Sequence, residues 1–228
     1  CRERILLKRI GVDGTAFRPW RDRPALGGSF TLISLCRIEP KKGLLELLEA
    51  CALLRQRGRE LRLRLIGGAD PGHAGSADYA AAVRARVAEL GLAGVVALEG
   101  AMASDDIPAA FGAAHGFVAP YVEVADGDKD GIPTAMVEAM AAGLPIVCTD
   151  AGAMREAVAD GVEGLVVAQR DPVALAAAIG RLQDDAALRQ RLGNAAAIRF
   201  DREFDCRITD EELHRRVREF VARSASGA

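Results

Sequence analysis

The chain has 228 residues, half of them apolar, with a formal charge of −2 and only 4% aromatic side chains. That balance describes an ordinary globular protein with length for one large core or two small ones, and it offers no strongly basic surface to draw nucleic acid. Its apolar stretches fall short of the roughly 20 residues of a membrane-spanning helix and no signal-peptide pattern is present, so a cytoplasmic location is expected. Five cysteines, Cys1, Cys36, Cys51, Cys148 and Cys206, are an odd number without a Cys-x-x-Cys pair, which argues against a disulfide framework or a zinc cluster. Cys36, Cys51 and Cys148 read as small buried hydrophobes. The chain opens at Cys1 without a methionine, which fits a piece of something longer.

Taken in chain order, the apolar pattern alternates between two periods. Phe30 to Cys36 suits a buried strand, and Gly43 to Arg57 follows with Leu44, Leu47, Leu48 and Cys51 at helical spacing. The same pair recurs as Leu61 to Gly67 with Ala77 to Leu90, Val95 to Gly100 with Ser104 to Ala114, and Gly116 to Pro120 with Thr134 to Ala142. Ile146 to Thr149 with Gly152 to Ala159, and Gly164 to Ala168 with Val173 to Leu182, complete the series. Six strands alternating with helices predict a parallel sheet covered on both faces. Beyond it the chain is helical only, with one stripe at Leu188, Leu192 and Ala195 and another at Leu213, Val217, Phe220 and Val221. Thr209 with Glu212 resembles a capping box opening the last helix, and the Ser-Ala-Ser-Gly-Ala end is expected to be without structure.

In such a sheet ligands sit beyond the carboxyl ends of the strands, so chemistry is sought in the loops there. The first, CRIEPKKGLLE, has neither a Gly-x-Gly-x-x-Gly turn nor a P-loop. It offers Arg37 and Lys42 just before a helix N-terminus, where amides and macrodipole also favour an anion, although surface Lys and Arg are usually only solvated. The second, LIGGADPGHAGSADY, has Gly67 and Gly68, which permit either close approach to a ligand or a tight turn. The third, DGDKDGIPTAMVE, begins like a calcium loop with Asp126, Asp128 and Asp130 at alternate positions before Gly131. The required twelfth-position acid falls on Val137, with Glu138 one residue late; no helix leads in, and Pro133 already suits a first helical turn.

Together, Arg37 with Lys42-Gly43, Gly67-Gly68, Gly100, Pro120, Asp130-Gly131-Ile132-Pro133, Glu138-Ala139-Met140-Ala141 and Gly143-Leu144-Pro145-Ile146-Val147 resemble the C-terminal half of the retaining GT-B glycosyltransferases of family 4. The likeness is to the exopolysaccharide and colanic-acid type, and runs from about Arg4 through Gly11-Val12-Asp13 and Phe17-x-Pro19 to about Phe204. That family's pair of glutamates eight positions apart matches Asp130 and Glu138, the first shortened by one methylene. The resemblance implies a Rossmann-like domain over residues 26–205, preceded by a remnant of an interdomain connection (1–25) and followed by a C-terminal helix and tail (206–228), without the N-terminal acceptor domain.

It further implies that Arg37 and Lys42 hold the pyrophosphate of a UDP-, GDP- or ADP-linked sugar, supported by the amides along the stretch Gly131, Ile132, Pro133 and Thr134, in which Pro133 shapes the turn but has no N–H to donate. Glu138 takes the ribose hydroxyls and Asp130 a hydroxyl of the sugar, while Gly67, Gly68 and Gly100 let backbone approach the donor and the base lies near Leu98 to Met102. The implied reaction is retaining hexose transfer to a saccharide or lipid-linked acceptor, with Arg37, Lys42 and Asp130 as catalytic groups and neither metal nor cofactor. Any contact with the inner face of a membrane would be made through the absent domain. Two alternatives stay open: half of an isomerase similar to the nucleotide-sugar 2-epimerases, and a non-catalytic nucleotide-binding module.

Overall fold

A computed structural model describes residues 8–22, 26–72, 75–125 and 127–226. Cys1, Arg4 and Asp126, each singled out above, lie outside the described residues. Six strands form one parallel sheet: β1 Phe30–Leu35, β2 Leu61–Ile66, β3 Val96–Gly100, β4 Gly116–Ala119, β5 Ile146–Thr149 and β6 Gly164–Val167. Between and after them run α1 Leu44–Gln56, α2 Ser76–Glu89, α3 Ile107–Gly112, α4 Thr134–Ala141, α5 Met154–Ala157, α6 Pro172–Asp184, α7 Ala186–Glu203 and α8 Cys206–Ser226. The strand order is β3-β2-β1-β4-β5-β6. The chain therefore starts in the middle, winds outwards one way, and returns to wind outwards the other way.

The inner strands β1, β4 and β5 are apolar runs whose alternate side chains feed two cores, whereas β2 alternates with Arg62 and Arg64 and β3 at the edge is largely exposed. Ile33, Phe117, Ile146 and Cys148 enter one core with Phe111, Met136, Met140, Phe200 and Phe204. Leu32, Leu63, Val118 and Val147 enter the other with Leu47, Leu48, Leu54, Val83, Ile179 and Leu182. Burial pushes the thiols of Cys51 and Cys148 up to about 12, as befits inert apolar side chains.

Two expected helix limits move. Gly152 to Ala159 yields only one turn, Met154–Ala157, because Gly152 is left-handed at φ 56° and Val158 is already extended. At the other end, α8 starts at Cys206 and Thr209 lies inside it, donating its hydroxyl to the Cys206 carbonyl. The cap is Asp205, whose carboxylate accepts the Arg207 amide at 2.9 Å and pairs with the Arg18 and Arg207 guanidinium groups. The helix continues through Ser226, three residues into the end expected to lack structure. The amino-terminal segment is joined to the same corner, with Val12 donating to the Phe204 carbonyl and accepting from the Cys206 amide.

Candidate functional site

The strand order reverses between β1 and β4, so the loops leaving these neighbours diverge and open a crevice at the carboxyl edge of the sheet. The β1 loop is shaped by two glycines. At Gly67 (φ 130°) a Cβ would lie 1.9 Å from the Cys36 carbonyl oxygen, and at Gly43 (φ 60°) one would lie 1.8 Å from that of Pro120. Gly67 thus lets the end of β2 close on β1, and Gly43 lets the β1 loop touch the β4 loop, where the Val122 amide also donates to the Lys41 carbonyl at 2.9 Å. Gly67 also donates its amide to the Gly100 carbonyl and Gly68 accepts from the Ile38 amide, while Gly68, Gly100 and Gly131 face open space.

That backbone contact delivers Lys42 into the crevice. Only 6% exposed, Lys42 places its Nζ 2.8 Å from Asp130 Oδ2 and 4.2 Å from the centroid of the buried Tyr121 ring. Beside it Lys41 reaches Asp128 at 2.9 Å. The two described acids of the would-be calcium loop therefore face one lysine each, instead of converging. Arg37 is aimed at the β2 loop, with Asp70 at 2.7 Å and Glu39 at 3.0 Å. The Asp70 hydrogen bond and the Glu39 charge hold its guanidinium charged, with a smaller contribution from Asp130. The first two amides of α1 go to the Tyr79 hydroxyl, at 3.0 Å from Leu44 N and 3.4 Å from Leu45 N, so this helix start has a resident acceptor where an anion was expected.

The β4 loop is braced from the far side as well. Glu123 receives the Gly152 amide on its carboxylate, gives its own amide to Gln169, and accepts the Arg170 guanidinium on its carbonyl. Arg170 is left-handed at φ 59°, a conformation unusual for a side chain of its size, and this contact spans the turn it makes. At Gly152 a Cβ would fall 2.1 Å from the Asp130 carbonyl, so the backbone of Asp130 is seated against the start of α5 while its side chain points to Lys42.

After Asp130 the loop passes exposed Gly131 and half-buried Ile132 and Pro133 into α4. Pro133 supplies no side-chain cap, and its carbonyl takes the amides of Met136 and Val137. Glu138 stands one turn in. Half-buried, it forms no ion pair among the described residues, and burial alone lifts its carboxyl above the ordinary value of 4.5. The structure thus brings Lys42 and Asp130 into contact, sets Arg37 at the outer rim of the same loop, and leaves the Glu138 carboxylate outside both ion-pair groups. Tyr79, Tyr121, Glu39, Lys41, Glu123 and Gly152 carry much of this architecture and were not singled out from the sequence. The adjacent lysines of one loop and the alternate acids of the other were the one visible signal.

Comparison with known proteins decides the family. The profile described as "Glycosyl transferases group 1" matches residues 18–199. The chain belongs to this family. The group 1 glycosyltransferase chain is 35% identical over 187 residues to an Escherichia coli K12 protein carrying the name colanic acid biosynthesis glycosyltransferase WcaL, covering 81% of this chain and 44% of that one. It is 31% identical over 211 residues to the amylovoran biosynthesis glycosyltransferase AmsK of Erwinia amylovora, covering 92% and 50%. The chain spans about half the length of these curated relatives. Among solved structures, sucrose-phosphate synthase from Thermosynechococcus elongatus shares the fold of this glycosyltransferase domain with a TM-score of 0.81 at 24% identity, over 95% of this chain and 53% of that one. Anabaena HepE, solved in complex with UDP and glucose, does so with 0.80 at 21%, over 95% and 57%.

Proposed function

We propose that the chain is the donor-binding half of a hexosyltransferase of polysaccharide biosynthesis, taking a nucleotide sugar and passing the sugar, with retention and without a metal ion, to a saccharide or lipid-linked acceptor. The observation that carries this reading is Lys42, a nearly buried cation held against Asp130 at the point where the strand order reverses. A cation so placed is worth most to a ligand whose negative charge grows during reaction, because a fixed charge in a water-poor site needs no rearrangement as the leaving diphosphate forms. Arg37 would hold the same diphosphate from the rim. The backbone from Gly131 to Thr134, leading into α4, would support it from below.

Glu138 would accept from ribose hydroxyls, exchanging its partly lost water for donors on the ligand. Asp130, in contact with Lys42, would reach a hydroxyl of the sugar at the reacting end. The names of WcaL and AmsK, both of exopolysaccharide biosynthesis, support the process, and the UDP and glucose in HepE support the ligand class. Titration calorimetry with UDP, GDP, ADP and their sugars tests the proposal. One base should be selected with micromolar affinity, and absence of binding to all three diphosphates would defeat the donor reading.

A further inference from the structure

The β1 loop holds a carboxylate that donor binding, as proposed, does not use. Glu39 has no exposed surface, and neither of its carboxylate oxygens has a hydrogen-bond donor. Each oxygen nevertheless faces a cation, with Arg37 Nη1 3.0 Å from Oε1 and Lys41 Nζ 3.8 Å from Oε2. The backbone fixes it there: Glu39 is extended at φ −134° and ψ 153°, Pro40 opens the following turn, and the Lys42 amide closes that turn on the Glu39 carbonyl at 2.9 Å. Stability does not explain the placement, since taking the Glu39 carboxylate out of water costs about as much as its attraction to a half-exposed Arg37 and a more distant Lys41 returns, and an apolar substitute is often as stable.

The two cations share a second feature. Each also meets an acid farther out, Arg37 at Asp70 and Lys41 at Asp128, whose side chains are 29% and 44% exposed against none for Glu39. The inner acid is locked by its surroundings, whereas the outer acids stand at the solvent side, where phosphate oxygens could replace them. We propose that Glu39 is a positioning residue that holds Arg37 and Lys41 from behind, aims both at one diphosphate, and thereby makes Lys41 a third phosphate-binding cation beside Arg37 and Lys42. Asp70 and Asp128 are then the acids that the diphosphate displaces. This assignment rests on the donor reading given above and adds to it a residue set by charge geometry.

The test is titration of the 228-residue chain in EDTA-containing buffer with UDP, GDP, ADP and inorganic pyrophosphate, and with the corresponding nucleosides. Glu39→Gln keeps the shape and removes the charge; Lys41→Met removes the cation. Each should weaken the preferred diphosphate roughly tenfold, with nucleoside affinity unchanged and the melting temperature held within about 2 °C. Because Glu39 acts partly through Lys41, the double variant should lose less than the product of the single losses. If the wild-type chain binds none of the diphosphates, the donor reading falls and the role of Glu39 falls with it. If the wild type binds but Glu39→Gln or Lys41→Met retains its diphosphate affinity within about twofold, the donor reading stands and this inference is overturned. Equal loss of nucleoside and diphosphate in both variants also overturns it, because that would mark general damage to the loop.

Discussion

Two carboxylates of the crevice are in opposite electrostatic states, and this separates their roles. Asp130 has Lys42 at 2.8 Å; Glu138 has no ion-pair partner among the described residues and carries a carboxyl raised by burial. A raised folded-state value means that Glu138 favours the fold fully below its ordinary 4.5 and that this contribution is lost as pH rises through the folded value. Glu138→Gln should therefore raise the melting temperature of the ligand-free chain at neutral pH, and the gain should vanish as pH falls below about 4.5. The same substitution should weaken nucleoside diphosphate binding roughly tenfold, since ribose loses an ionised acceptor. A variant that is neither more stable at pH 7 nor weaker for the diphosphate would remove Glu138 from the site. Lys42→Ala and Arg37→Ala should each cost diphosphate binding about ten- to a hundredfold, with Lys42 the more severe because it is nearly buried. Asp130→Ala should leave the bare diphosphate bound at least as well as before, because Lys42 loses a competing partner, and should weaken only the nucleotide sugar.

At the scale of elements, what was legible depended on the range of the interactions. All six strands follow from local apolar patterning, continuous in β4 and β5 and alternating in β2, and each observed strand lies within its expected limits. The last helix began elsewhere because Asp205 outcompetes Thr209 as cap, through the Arg18 guanidinium far away in sequence. In the site, Arg37, Lys42, Asp130 and Glu138 could be named from residue type and loop position. Their pairing could not, since Lys41 and Asp128 are 87 residues apart and Lys42 and Asp130 88, and the match is set by the Gly43 approach to Pro120. Gly43→Ala tests this directly. A Cβ there meets the Pro120 carbonyl at 1.8 Å and the residue is left-handed, so the loops must part. The expected result is a loss of at least about 1 kcal/mol in denaturant unfolding together with weakened diphosphate binding. Unchanged binding in the folded variant would show that the β1 and β4 loops need not touch for the crevice to work.

At the scale of the molecule, the crevice stands over the seam between the two halves of the sheet. β1 pairs with β2 through six residue pairs but with β4 through only two, Leu32 with Gly116 and Ile33 with Phe117. The halves are joined above that seam by the lysine–aspartate pairs and by the Gly43 contact, all at the edge where a diphosphate would bind. A ligand gripping the β1 loop and the start of α4 together would therefore brace the whole sheet, and its binding energy would appear as global stability. At a hundredfold excess over its dissociation constant the preferred nucleoside diphosphate should stabilise the chain by about 2.7 kcal/mol, a rise of roughly 5 to 10 °C in melting temperature. Hydrogen exchange should slow in the loops after both β1 and β4, and not in one alone. EDTA should leave the rise intact, and calcium without nucleotide should produce none, because Asp128 and Asp130 already face separate lysines. A rise of several degrees with calcium alone, abolished by EDTA, would instead make the acidic loop a metal site and shift the bracing of the seam from a phosphate to a cation.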